Sequence, residues 1–72
     1  MPRAFRFVRF PCERTERTRL RSLLERYSYV DPASIVWSGG FLCFEIDLAR
    51  LPSHQDGLAA EGFLLNELAR HR

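Results

Sequence analysis

The sequence predicts an α+β fold: five elements in the order β-α-β-β-α, forming a three-stranded antiparallel sheet of strand order 1-3-2 with two helices on one face. Three observations predict it. The pair Gly39-Gly40 separates two apolar runs, as a hairpin turn does; an opening segment alternates aromatic residues with arginines; and two later segments repeat leucine at intervals of three and four.

In the first segment, Ala4 to Phe10, the alternation is that of a strand, but both faces carry apolar groups. Phe5 and Phe7 share one face with Arg3 and Arg9, and Ala4, Val8 and Phe10 share the other with Arg6. Phe5 and Phe7 are expected inward, because the larger pair gains more on burial, about 1.5–3 kcal/mol per side chain. Arg6 is then expected on the outer face beside Glu45 and Asp47. Pro11 closes the strand and suits the entrance to a helix.

Between Cys12 and Tyr27, the spacing of Leu20, Leu23, Leu24 and Tyr27 gives a helix one apolar stripe, and Glu13 and Glu16 suit the positive end of its dipole. Ser28 through Pro32 is the connection, broken at Asp31-Pro32.

The two-glycine turn then sets a hairpin register, since both glycines reach positive φ without steric cost. Ser38 faces Phe41, Trp37 faces Leu42, Val36 faces Cys43, Ile35 faces Phe44, Ser34 faces Glu45 and Ala33 faces Ile46. One face is almost purely apolar, with Ala33, Ile35, Trp37, Leu42, Phe44, Ile46 and Leu48. The other carries Ser34, Val36, Ser38, Phe41, Cys43, Glu45 and Asp47.

Leu51-Pro52-Ser53 ends the third strand, with Ser53 as N-cap and Asp56 three residues on. The second helix is expected from His54 to Arg70, with Leu58, Glu61, Gly62, Leu65, Leu68 and Ala69 along the sheet-facing stripe and Leu64 at its edge. Gly62 costs about 1 kcal/mol of helix propensity relative to Ala, which suits a helix packed closely over Trp37 or Phe44.

The order resembles a ferredoxin-like domain lacking its last strand. That leaves the first strand as a free edge and one sheet face without a helical cover.

Seventy-two residues make one small domain, which buries only about 60% of its unfolded surface. With 46% hydrophobic and 12% aromatic residues the chain is no disordered tail, and apolar surface is left over for a partner. No apolar run approaches the roughly 18 residues of a membrane span, and no signal-peptide core follows Met1, so a cytoplasmic location and no membrane partner are expected. All eleven basic residues are arginine, yet the net charge is only +2, which neither demands nor forbids a nucleic-acid partner. Cys12 and Cys43 lack metal-ligand spacing and are expected as free thiols.

Four sites stand out. Arg14, Arg17 and Arg21, flanked by Arg19 and Arg26, form a basic helical face able to follow a phosphate backbone together with Arg3, Arg6 and Arg9; against it, Glu13 with Arg17, Glu16 with Arg19 and Arg21 with Glu25 neutralise that face from within. The open sheet face around Val36, Phe41 and Cys43 is a candidate interface. Gly40-Phe41 resembles the start of the base-stacking strand of the RNA-recognition motif, but Cys43 stands where a second aromatic belongs, and Glu45 and Asp47 repel phosphate. Phe63 points away from the leucine stripe, toward a partner, unless the helix is rotated or Phe63 covers the end of the first helix. His54 and Asp56, and Cys12 at a helix start, lack the companions that catalysis needs, so the chain is read as no enzyme and as carrying no cofactor or metal.

The expected function is a small protein-protein interaction module, an adaptor, complex subunit or inhibitor of the kind phages and mobile elements encode. It is homodimeric through the open sheet face or the first-strand edge, with Val36, Phe41, Cys43 and Phe63 at the interface. The alternative is nucleic-acid binding through Arg14, Arg17 and Arg21.

Overall fold

The computed structural model describes residues 4–72. Its elements are β1 (Phe5–Pro11), a 3-10 turn (Arg14–Glu16), α1 (Arg17–Leu24), β2 (Val36–Ser38), β3 (Phe41–Asp47) and α2 (Gly57–His71), with further 3-10 turns at Pro32–Ser34 and Leu48–Arg50. The sheet is antiparallel throughout, in the order β1-β3-β2. This is the α+β architecture the sequence predicts.

Gly39 and Gly40 make the turn at φ values of 61° and 86°, the left-handed region in which a side chain is strained. Their turn pairs Ser38 with Phe41, Trp37 with Leu42 and Val36 with Cys43, as expected. Beyond Val36 the expected pairing stops. The next bridge joins Val30 to Ile46, so five residues intervene on one strand against two on the other, and the three of the Pro32–Ser34 turn are looped out. Asp31 caps that turn by accepting from the Ala33 N–H, which competes with a regular ladder. Ser34 still reaches β3, its hydroxyl accepting from the Glu45 N–H at 2.8 Å.

The helices are shorter than the leucine spacing suggests. The segment from Cys12 opens as a 3-10 turn in which Glu16 accepts from the Glu13 N–H. Beyond Leu24 the chain tightens, Arg26 bonding back to Leu23 and Tyr27 to Leu24. Leu20, Leu23 and Leu24 are buried, as expected. The N-cap of α2 is Asp56, accepting from the Ala59 N–H at 2.8 Å, and Ser53 lies outside the helix. The Leu48 and Arg6 side chains close on the first position of α2: a Cβ at Gly57 would stand 2.8 Å from Leu48 Cδ2 and 3.3 Å from Arg6 Cδ, so those side chains would have to shift.

One core lies between the sheet and the helices: Val8, Phe10, Leu42, Phe44 and Ile46 from the sheet, Ile35 beside it, Leu20, Leu23 and Leu24 from α1, and Ala60, Leu64 and Leu68 from α2. Trp37 donates its ring N–H to the Cys12 carbonyl at 3.0 Å, tying β2 to the exit of β1.

Two expectations about facing are overturned. On β1 the buried pair is Val8 and Phe10, while Phe5 and Phe7 stand on the open face. The register decides this, since Val8 pairs with Phe44 and Phe10 with Leu42, and paired residues share a face. Arg6 therefore lies on the helix side, where its Nε is 2.8 Å from Glu61 Oε1. On α2, Leu64 is central to the buried stripe with Ala60 and Leu68, and Leu58, Gly62 and Ala69 are exposed. Gly62 packs on nothing: a Cβ there would meet no atom within 4 Å.

Candidate functional site

The sheet side opposite the helices is built by the odd-numbered residues of β1 and β3 and the even-numbered ones of β2: Phe5, Phe7 and Arg9, then Phe41, Cys43 and Glu45, then Val36 and Ser38. Phe5, Phe7 and Val36 are 42%, 59% and 53% exposed, and Phe41 and Cys43 are half-buried. The Arg9 guanidinium lies over the Phe41 ring, 4.9 Å from its centroid, which keeps the charge in water while its stem covers apolar surface. Asp47, expected as open-face charge, is buried. Its Oδ1 accepts from the Ala49 N–H and its Oδ2 lies 3.6 Å from Arg50 Nε. Glu45 remains as the acid within the patch.

Val36, Phe41 and Cys43 are thus brought together on one surface. Phe63 is not with them. It sits on α2, edge-on to Tyr27 with ring centroids 5.8 Å apart, so it covers the end of α1 while remaining 44% exposed. The residues that sequence reasoning placed elsewhere are Phe5 and Phe7, which with Arg9 complete the apolar row. The signal for them is Pro11. A proline in a ladder must sit where no N–H is donated to the neighbouring strand. The two-residue turn sends the odd residues of β3 toward β2, so the residues of β1 opposite them make no bonds to β3. Pro11 must be one of those, and Phe5 and Phe7 share its parity and face.

The arginine face is split between the 3-10 turn, which holds Arg14, and α1, which holds Arg17 and Arg21. Arg17 and Arg21 line a shallow cleft with Val36, Trp37 and Leu42. Arg21 Nε lies 3.7 Å from Glu25 Oε2, as expected, and Glu16 Oε2 lies 3.9 Å from Arg72 Nε. Arg3 falls outside the described residues.

The two cysteines are free thiols. Cys12 is buried, and its thiol is pushed above the ordinary range by burial and then by the nearby Glu16, with Arg72 opposing. That is the reverse of an activated nucleophile. Asp56 is engaged as the cap of α2, and His54 lies in the exposed turn before it. Among the described residues no group of three His, Cys, Asp or Glu side chains is placed to hold a metal ion, and no helix is long and apolar enough to cross a membrane. Comparison with protein-family models, curated proteins and solved structures found no match to this chain.

Proposed function

We propose that this chain is a small cytoplasmic protein-protein interaction module, homodimeric through its open sheet face or the edge of β1, that acts by occupying a surface on another protein. The observation that carries the reading is the uncovered apolar row of Phe5, Phe7, Val36 and Phe41 on a sheet whose other side is sealed by two helices. Exposed apolar groups gathered on one flat surface are typical of interfaces, and Arg9 and Glu45 at its rim give a partner polar groups to register against.

Sedimentation equilibrium from low to high micromolar concentration tests the homodimer. A two-chain mass that dissociates on dilution is expected, and a single-chain mass throughout would overturn it.

A second reading, nucleic-acid binding through Arg14, Arg17 and Arg21, is favoured by the convergence of Arg17 and Arg21 on the cleft beside Trp37. It predicts affinity that falls steeply with salt and weakens when the three arginines become alanine. No affinity for duplex or single-stranded nucleic acid at low salt removes it.

A further inference from the structure

The sheet has a second edge in β2, which borders the cleft beside α1. Gly39 and Gly40 form a two-residue turn, which makes Ser38 and Phe41 a hydrogen-bonded pair and Val36 and Cys43 the next. Trp37, between them, therefore turns its N–H and C=O outward from the sheet. The extended Ile35 turns its carbonyl the same way, while its N–H bonds to the Pro32 carbonyl. Among the described residues no other segment bonds to these three groups. The Trp37 ring is fixed beside them by its bond to the Cys12 carbonyl.

The helix wall of this cleft is basic. α1 starts at the Trp37 end, because Cys12 is bonded to the Trp37 ring, and runs back toward the Ile35 end, because it joins two strands that are parallel to one another. Arg17 therefore stands toward the level of Trp37, and Arg21, one turn further, toward that of Ile35; no carboxylate lines the cleft with them. Arg17, expected to pair with Glu13, makes no ion pair among the described residues. Arg21 meets Glu25 at 3.7 Å, an exposed pair that holds neither side chain strongly. The cleft measures about 290 Å³, just under the roughly 300–1,000 Å³ of pockets that enclose a small molecule. It suits a few side chains of a segment laid along the strand.

We infer that the β2 edge takes up a short acidic segment of another protein as a fourth strand, with two carboxylates at alternate positions reaching Arg17 and Arg21. This rests on the interaction-module reading above but not on its homodimer. A segment laid antiparallel puts one residue opposite Trp37, exchanging two backbone bonds with it, and the residue two further on opposite Ile35, donating to its carbonyl. Residues directly opposite share a face, so both side chains stand on the helix side with the arginines. The residue between them lies beside exposed Val36 on the open face.

The spacings agree. Alternate positions of a strand are about 6.6 Å apart, and residues one turn apart on α1, such as Arg17 and Arg21, about 6 Å. The favoured segment therefore reads acidic, apolar, acidic. It is short, because the Pro32–Ser34 turn and the glycine turn bound β2 at the three residues Val36–Ser38. A phosphate backbone would also meet the arginines, but it carries no alternating N–H and C=O groups to match those of Trp37 and Ile35, which favours a peptide.

The probe is a labelled peptide, Thr-Thr-Glu-Val-Glu-Thr-Thr, titrated to millimolar concentration and followed by fluorescence anisotropy and by hydrogen exchange of the Trp37 backbone amide. Binding is expected to slow that exchange, and to weaken about tenfold or more when both glutamates become glutamine or when Arg17→Gln and Arg21→Gln are combined. Methylating the backbone nitrogen of the first glutamate, which faces Trp37, is expected to remove the protection, and methylating that of the valine, which faces away, to leave it. Circular dichroism and sedimentation are expected to show the arginine variant folded and associated as the unaltered chain is, so loss of peptide binding is read apart from loss of the homodimer. Equal binding of the glutamine peptide, a Trp37 amide that stays unprotected, or no binding at millimolar peptide would overturn the inference. A short single-stranded oligonucleotide that binds in place of the peptide would overturn it in favour of the nucleic-acid reading, and a Trp37 amide already protected in a dimer of the free chain would overturn it in favour of a second copy on this edge.

Discussion

The two faces of the sheet are made of similar residues and have opposite fates. On one, Val8, Phe10, Leu42, Phe44 and Ile46 are sealed under α1 and α2; on the other, Phe5, Phe7, Val36 and Phe41 keep much of their surface in water. Side-chain chemistry does not separate them, since phenylalanine and valine occur on both. What separates them is strand parity, and parity is set by backbone hydrogen bonding: the glycine turn fixes which residues of β3 look toward β2, and the register with β1 follows. Apolar character reports that a residue can be buried; the ladder decides whether it is.

The contrast can be broken most directly by truncating one residue on each face. Phe44→Ala, beneath both helices, is expected to cost about 3–5 kcal/mol in urea unfolding. A loss below about 1 kcal/mol would mean that the helices do not seal this face as described. Next in size is the turn that sets the parity. Gly39→Ala, at a φ of 61°, is expected to cost roughly 1–2 kcal/mol with no change in the contacts of either face.

The two cysteines sharpen the comparison, because they lie on opposite sides. Cys43 on the open face is expected to react with a thiol reagent well before buried Cys12, whose raised pKa withholds its thiolate. Tyr29, raised by burial and then by Tyr27, behaves in the same sense. In both cases the unfolded chain loses its proton first as pH rises. Their contribution to stability is therefore complete below the ordinary thiol value of 9.0 and is lost on the alkaline side. Unfolding midpoints should fall as pH climbs past that value, and the fall should be smaller in Cys12→Ala. Smallest of all, Val36→Ala on the open face should change the unfolding free energy by less than about 0.5 kcal/mol. A larger loss would show that this face is already packed.

Much of the fold was legible before any coordinates. The hairpin and the leucines of α1 follow from local rules, namely glycine's access to positive φ, the two-residue period of strands and the three-and-four spacing of helices, and the strand order follows from the right-handed crossover between β1 and β2. The errors share a cause. Phe5 and Phe7 were expected inward because size was allowed to decide, when Pro11 carried the better information. Leu58, Gly62 and Ala69 were expected on the sheet, but α2 is rotated so that Ala60, Leu64 and Leu68 face down, with Leu65 packed at the edge of the core. A stripe that broad admits more than one rotation, and only docking against Arg6, Phe10 and Tyr27 chooses among them. Of the candidate interface, Val36, Phe41 and Cys43 were placed together by the hairpin register alone, while the contribution of β1 was missed.

By itself, then, the sequence determined the elements, their order and the hairpin register, because each depends on residues within a few positions of one another. Tertiary structure decided which side of β1 is covered, how α2 is turned, and that three residues loop out before β2. Those choices depend on hydrogen bonds and packing between segments far apart in the chain, where several arrangements satisfy the local rules and only simultaneous burial of Val8, Phe44, Leu20 and Leu64 in one core selects among them.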